Sequence, residues 1–138
     1  MELVGDADEF HHMIPPERMA AAYRAADAFV GGSRAAEGFG LPTLESLACG
    51  LPALLSDTPG QRDIGRGAAR YYRDGDPESL AEALPGILTE DARVRARVAG
   101  PAEAARYDTD LVAERLEAAF AAALTEARAR PEGVHSRM

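Results

Sequence analysis

The stretch EGFGLPTLESLACGLPALLSD, Glu37 to Asp57, runs through a loop, a helix and a buried strand in succession. Pro42 suits the first turn of a helix, where its missing N–H is no loss, and Gly50 suits the position just past the end. Between them Leu44, Leu47 and Ala48 fall at helical spacing, which predicts a helix over PTLESLAC with those three on its core face. LPALLSD then shows no polar alternation, the pattern of a strand covered on both faces in a parallel sheet. The turn formers Asp57, Thr58, Pro59 and Gly60 close it.

The same alternation continues outward. On the N-terminal side AFVGG reads as a short buried strand broken by Gly31 and Gly32, and GGSRAAEGFG is a loop by composition. Pro15 and Pro16 open a helix from about Glu17 to Ala26, with Met19, Ala22, Tyr23 and Ala26 at the spacing of one buried face. ELVG and EFHHMI, further back, are strand candidates. On the C-terminal side ARYY is another strand, and Asp76 with Pro77 starts a helix carrying Leu80, Ala83, Leu84, Ile87 and Leu88, which Pro85 should kink or divide. A helix over 92–105 follows, then a longer one capped within 108–110 and bearing Val112, Leu116, Phe120 and Leu124 on one stripe. The polar end ARPEGVHSRM, 129–138, reads as a disordered tail. Strands alternating with helices predict an α/β fold over 1–128, a Rossmann-like parallel sheet with helices on both faces.

Composition narrows the function. At 138 residues and 46% hydrophobic, the chain can build one core but not two comfortable ones. No apolar run approaches the roughly 18–20 residues of a membrane span, and MELVGDADEF is acidic where a secretory leader is basic, so a soluble cytoplasmic protein is expected. A formal charge of −8 without a basic patch argues against nucleic acid as a partner. Cys49 is the single cysteine, and His11 and His12 lack companions at metal-ligand spacing, so all three read as structural and no metal site is expected. All fifteen basic side chains counted as Lys or Arg are arginine. That excludes a P-loop and a pyridoxal Schiff base, both of which need a lysine, and no cofactor is expected.

The loop entering the central helix carries the chemistry. Gly38, Phe39, Gly40 and Leu41 present backbone N–H groups at the positive end of a helix dipole, an arrangement suited to a diphosphate. Glu37 and Glu45 flank it, and carboxylates beside an anion site are tolerable only if they address something neutral and rich in hydroxyls. A nucleotide sugar meets both demands: ribose on Glu45, phosphates on the loop amides, hexose on Glu37. Two other readings compete. GFGLPT followed by a strand ending in Asp57 imitates a dinucleotide fingerprint, although Thr43 replaces its third glycine and the loop from Gly31 to Gly38 is long for it. A non-catalytic nucleotide-sugar-binding or interaction module is the other.

EGFGLPTLE resembles the E-x7-E motif of retaining glycosyltransferases of the GT-B fold, the group 1 family that uses nucleotide-diphosphate sugars. The resemblance runs on through ERMAAAYRAADAFV, ESLACGLPALLSDTPG and DPESLAEAL. It implies that Glu37 contacts the donor sugar, that Phe39, Gly40, Leu41 and Thr43 hold the phosphates, and that Glu45 binds the ribose. The implied reaction is sugar transfer with retained anomeric configuration. Two departures accompany it. Gly32 and Ser33 stand where the family carries proline and serine, and the family's glycine-rich turn with its arginine and lysine would precede Met1. The chain is thus expected to be part of a C-terminal donor domain, with about four strands of its sheet. It would lack the N-terminal acceptor domain and be inactive alone. An exposed edge strand would invite that domain, a second chain or a second copy as homo-oligomer to pair with it.

Overall fold

The computed structural model describes residues 14–32 and 39–129. Contacts divide the chain into two compact units, Met1–Ala104 and Ala105–Met138. Among the described residues the first unit holds α1 (Pro16–Ala25), β1 (Phe29–Gly31), α2 (Leu41–Ala48), β2 (Ala53–Ser56), α3 (Pro59–Gly65), β3 (Ala69–Tyr72), α4 (Pro77–Ala83) and α5 (Glu90–Ala104). The strands form a parallel sheet in the order β1-β2-β3, with Phe29 opposite Ala53 and Ala53 opposite Ala69. The class is α/β, as the alternation predicts. The strand candidates ELVG and EFHHMI fall almost wholly outside the described residues.

β2 is central because it alone is apolar enough to be covered from both sides; each of its four residues is buried. Successive side chains point to opposite faces. Leu54 packs with Tyr72 and Ile87, beside Ala28 and the α4 residues Leu80 and Ala83. Leu55 lies against two glycines on the other face: a Cβ added at Gly31 or Gly65 would come within 2.9 or 2.7 Å of its methyls. α2 and α5 approach closely for a similar reason, since a Cβ at Gly100 would meet the Leu47 carbonyl oxygen at 2.5 Å. These glycines act through their lack of bulk.

Helix ends follow the local signals. α2 stops where Gly50 turns left-handed (φ +71°), and the N–H of Leu51 closes back on the Ser46 carbonyl at 3.1 Å. Asp76 caps α4 by accepting from the Ser79 N–H at 2.9 Å. Pro85 divides the helix as expected, with a 3-10 turn over Leu84–Ile87 replacing its second half. Ala48, expected on the core face of α2, is exposed, and Thr43 and Ser46 are buried there with Leu47. Three further expectations fail. The residues read as a closing turn after β2 begin α3, because Thr58 caps and Pro59 fills a first-turn position. The apolar face of α1 is not core: Met19 and Tyr23 are half-buried, while Ala22 and Ala26 are exposed.

The second unit contains α6, Thr109–Ala129, preceded by a 3-10 turn over Ala105–Tyr107. Asp108 supplies its cap, accepting from the Asp110 N–H. The helix is as predicted. The third failure is its stripe: Val112, Leu116, Phe120 and Leu124 are all exposed. Residues 130–138, nearly all of the tail read from sequence, lie outside the described residues. No described helix is long and apolar enough to cross a membrane.

Candidate functional site

All three strands point the same way, so Gly31, Ser56 and Tyr72 mark a common carboxyl edge. Crevices at this edge are where open parallel sheets bind ligands. The chain leaves β1 there and enters α2 through Gly40, which adopts a left-handed conformation (φ 67°, ψ 51°). A side chain at that position would be strained by the backbone, and its Cβ would meet the Gln61 amide nitrogen at 3.2 Å. Gly40 therefore lets the loop pass tightly over α3.

Among the described residues no side chain caps α2. The Gly40 carbonyl accepts from the N–H groups of Thr43 and Leu44, at 3.0 and 3.3 Å, and Pro42 has no N–H. Phe39 and Leu41 turn their side chains outward, 49% and 60% exposed. The positive end of the dipole thus lies between two apolar side chains.

Thr43 faces inward instead. It is 2% exposed, and its hydroxyl donates to the Gln61 side-chain oxygen at 2.9 Å. Ser46, equally buried, donates to the Thr43 carbonyl at 2.7 Å. Thr43 and Gln61 together fasten the first turn of α2 to α3, across a separation of eighteen residues.

Glu45 lies about one turn into α2 on its exposed side, opposite the buried Leu47. The Tyr23 hydroxyl donates to its Oε2 at 3.0 Å. Tyr23 in turn meets Phe29, the first residue of β1, edge to face with ring centroids 6.2 Å apart. Burial, and then the bond to Glu45, push the Tyr23 hydroxyl up to about 12, so it remains a proton donor at any physiological pH. A cleft of about 340 Å³ adjoins the pair, lined by Pro16, Met19, Ala20 and Ala48 among others. Cys49 is half-buried at its end with its thiol toward the Ala20 carbonyl.

Arg62 stands at the same carboxyl edge. It binds both oxygens of Asp57, at 2.6 and 2.7 Å, and lies 4.1 Å over the Tyr71 ring. These bonds hold the Asp57 carboxyl below its ordinary range. A larger cavity, about 600 Å³, sits at the opposite, amino end of the strands between Pro52, Ala53, Ala69, Ile87 and Ala96. Its walls are mostly apolar, and the residues singled out from sequence are elsewhere.

Of those residues, the structure brings Phe39, Gly40, Leu41, Thr43 and Glu45 together at one helix entrance. Glu37 and Gly38 lie outside the described residues. Tyr23 and Gln61 were missed by the sequence reading. Spacing alone places Tyr23 on a helix face, and its contact with Glu45 spans twenty-two residues.

The family model described as "Glycosyl transferases group 1" matches residues 2–105. The chain is 35% identical to the phosphatidyl-myo-inositol mannosyltransferase of Mycobacterium leprae over 100 residues, covering 70% of this chain and 27% of that one. It is 35% identical to the D-inositol 3-phosphate glycosyltransferase of Thermobispora bispora over 137 residues, covering 96% and 32%. Its fold superposes on the sucrose-phosphate synthase of Thermosynechococcus elongatus with a TM-score of 0.76 at 26% identity, over 88% of this chain and 31% of that one. The chain spans about a third of the length of these proteins.

Proposed function

The chain belongs to the group 1 glycosyltransferases, and from that premise we propose that it is the donor-binding portion of a retaining enzyme that transfers a sugar from a nucleotide diphosphate. The observation that carries this reading is the entrance of α2: a left-handed glycine, a first turn that no side chain caps among the described residues, and an exposed carboxylate one turn further on. The diphosphate lies on the amides of the loop at Phe39, Gly40 and Leu41, with Gly38 before them. Glu45 takes the ribose, and Glu37 takes hydroxyls of the donor sugar. Thr43 serves the phosphates from behind, by holding the helix entrance through Gln61.

In this reading the protein orients the donor and stabilises the departing diphosphate, and neither glutamate is required as a covalent nucleophile. An exposed helix end contributes at most about 1 to 2 kcal/mol toward an anion, against a chain of net charge −8. The 138-residue chain therefore binds nucleotide diphosphates weakly and does not transfer sugar alone. Transfer needs an acceptor-binding wall opposite this one, supplied by another domain or chain.

Titration of GDP, ADP and UDP into the labelled chain tests the reading. Binding shifts should centre on Phe39 to Glu45, and Glu45→Ala should weaken binding by about 1 to 3 kcal/mol, the range for a hydrogen bond to a charged group. Shifts centred on the amino-end cavity, or Glu45→Ala with wild-type affinity, would remove the site.

A further inference from the structure

We propose that Tyr23 is a positioning residue of the donor site, its hydroxyl holding the Glu45 carboxylate in the orientation that receives the ribose; this rests on the donor reading above. Glu45 is exposed on a short helix, and a free glutamate there would sample several rotamers. One oxygen is instead held, Oε2 at 3.0 Å from the Tyr23 hydroxyl, which leaves Oε1 to a ligand hydroxyl. The hydrogen bond is charge-assisted and comes from a rigid source. The Tyr23 ring is set edge-on against Phe29 and half-buried in the seam between α1 and α2, so it is placed by the sheet and not by α2 itself. Phe29 is the first residue of the strand whose far end leads into the donor loop. The ribose carboxylate and the phosphate-binding amides are thus referenced to one strand. Ordering the side chain before the ligand arrives removes an entropy loss from binding, which is how a residue that never touches the ligand can raise affinity.

A purely architectural tie between α1 and α2 would use the same bond, and the ligand distinguishes the two. GDP, ADP and UDP, and the 2′,3′-dideoxy form of whichever binds most tightly, are titrated by NMR into wild type, Tyr23→Phe, Glu45→Ala and the double variant. Tyr23→Phe removes one oxygen and keeps the ring against Phe29. It should weaken the ribose nucleotide about three- to tenfold, leave the dideoxy nucleotide unchanged, and add nothing in the Glu45→Ala background. Equal weakening of both nucleotides, or additive effects in the double variant, would make the bond architectural and overturn the proposal. Wild-type affinity in Tyr23→Phe with a weakened Glu45→Ala would overturn it while sparing the donor reading. Glu45→Ala binding as wild type, or no binding of any nucleotide by wild type, would overturn both.

Discussion

The entrances of α2 and α4 both follow a strand at the carboxyl edge and both place proline in the first turn, yet they are finished in opposite ways. α4 closes itself: Asp76 accepts from the Ser79 N–H, and the Ser79 hydroxyl accepts from the Arg73 N–H at 3.1 Å. α3 does the same more weakly, Thr58 accepting from the Gln61 N–H at 3.4 Å. α2 has a glycine where the others have an oxygen-bearing side chain, and the residues on either side of that glycine are exposed and apolar. A helix end that satisfies itself has stability as its purpose. At α2 the Gly40 carbonyl takes the Thr43 and Leu44 N–H groups, and among the described residues no side chain occupies the positive end of the dipole, which suits it to a ligand.

The contrast breaks first at Gly40. Gly40→Ala puts a Cβ into a left-handed backbone and 3.2 Å from Gln61, so it should destabilise the chain by about 1 to 2 kcal/mol and abolish nucleotide binding. A thermal melt with a parallel titration checks both; wild-type stability would mean that the left-handed turn relaxes freely. Thr58→Ala sharpens the contrast from the other side. Losing a cap of 3.4 Å should lower stability by about 1 kcal/mol while nucleotide affinity in the folded protein stays the same. A matching loss of affinity would show that α3 belongs to the site and not only to its support.

The smallest effect is expected at Asp76. Its bond from the Ser79 N–H, above all, holds its carboxyl below the ordinary value of 3.8. A depressed carboxylate contributes stability above its unfolded pKa and loses that contribution as pH falls through the folded value. Asp76→Asn keeps a capping oxygen without the titration, so the melting temperatures of variant and wild type should converge as pH drops from about 6 to about 2. Curves that stay parallel over that range would place the acid sensitivity elsewhere, for example at Asp57 with its bonds to Arg62.

Much of this contrast was legible in the chain itself. Proline at a first turn, Asp76 before Pro77 and Gly50 after Cys49 announce helix ends because capping acts within about one turn, on neighbours in sequence. The same logic, followed one step further, would have turned Thr58-Pro59 from a turn into the start of α3. The unbroken run in β2 announced the central strand. Spacing was a poorer guide to burial. α1 and α6 both carry the expected stripes, and neither stripe is core, because periodicity says which residues share a face and not whether anything covers it.

By itself, then, the sequence determined the α/β alternation, most helix boundaries, the glycine-lined entrance and the family, all of which rest on residues adjacent along the chain. Tertiary structure alone decided that Thr43 turns inward to Gln61, that Gly40 must be glycine because α3 passes beneath it, and that Tyr23 holds Glu45. Those contacts join residues some eighteen to twenty-two positions apart. No local propensity encodes a partner at that distance; it exists only once β1 and β2 have paired and brought α1, α2 and α3 to the sheet.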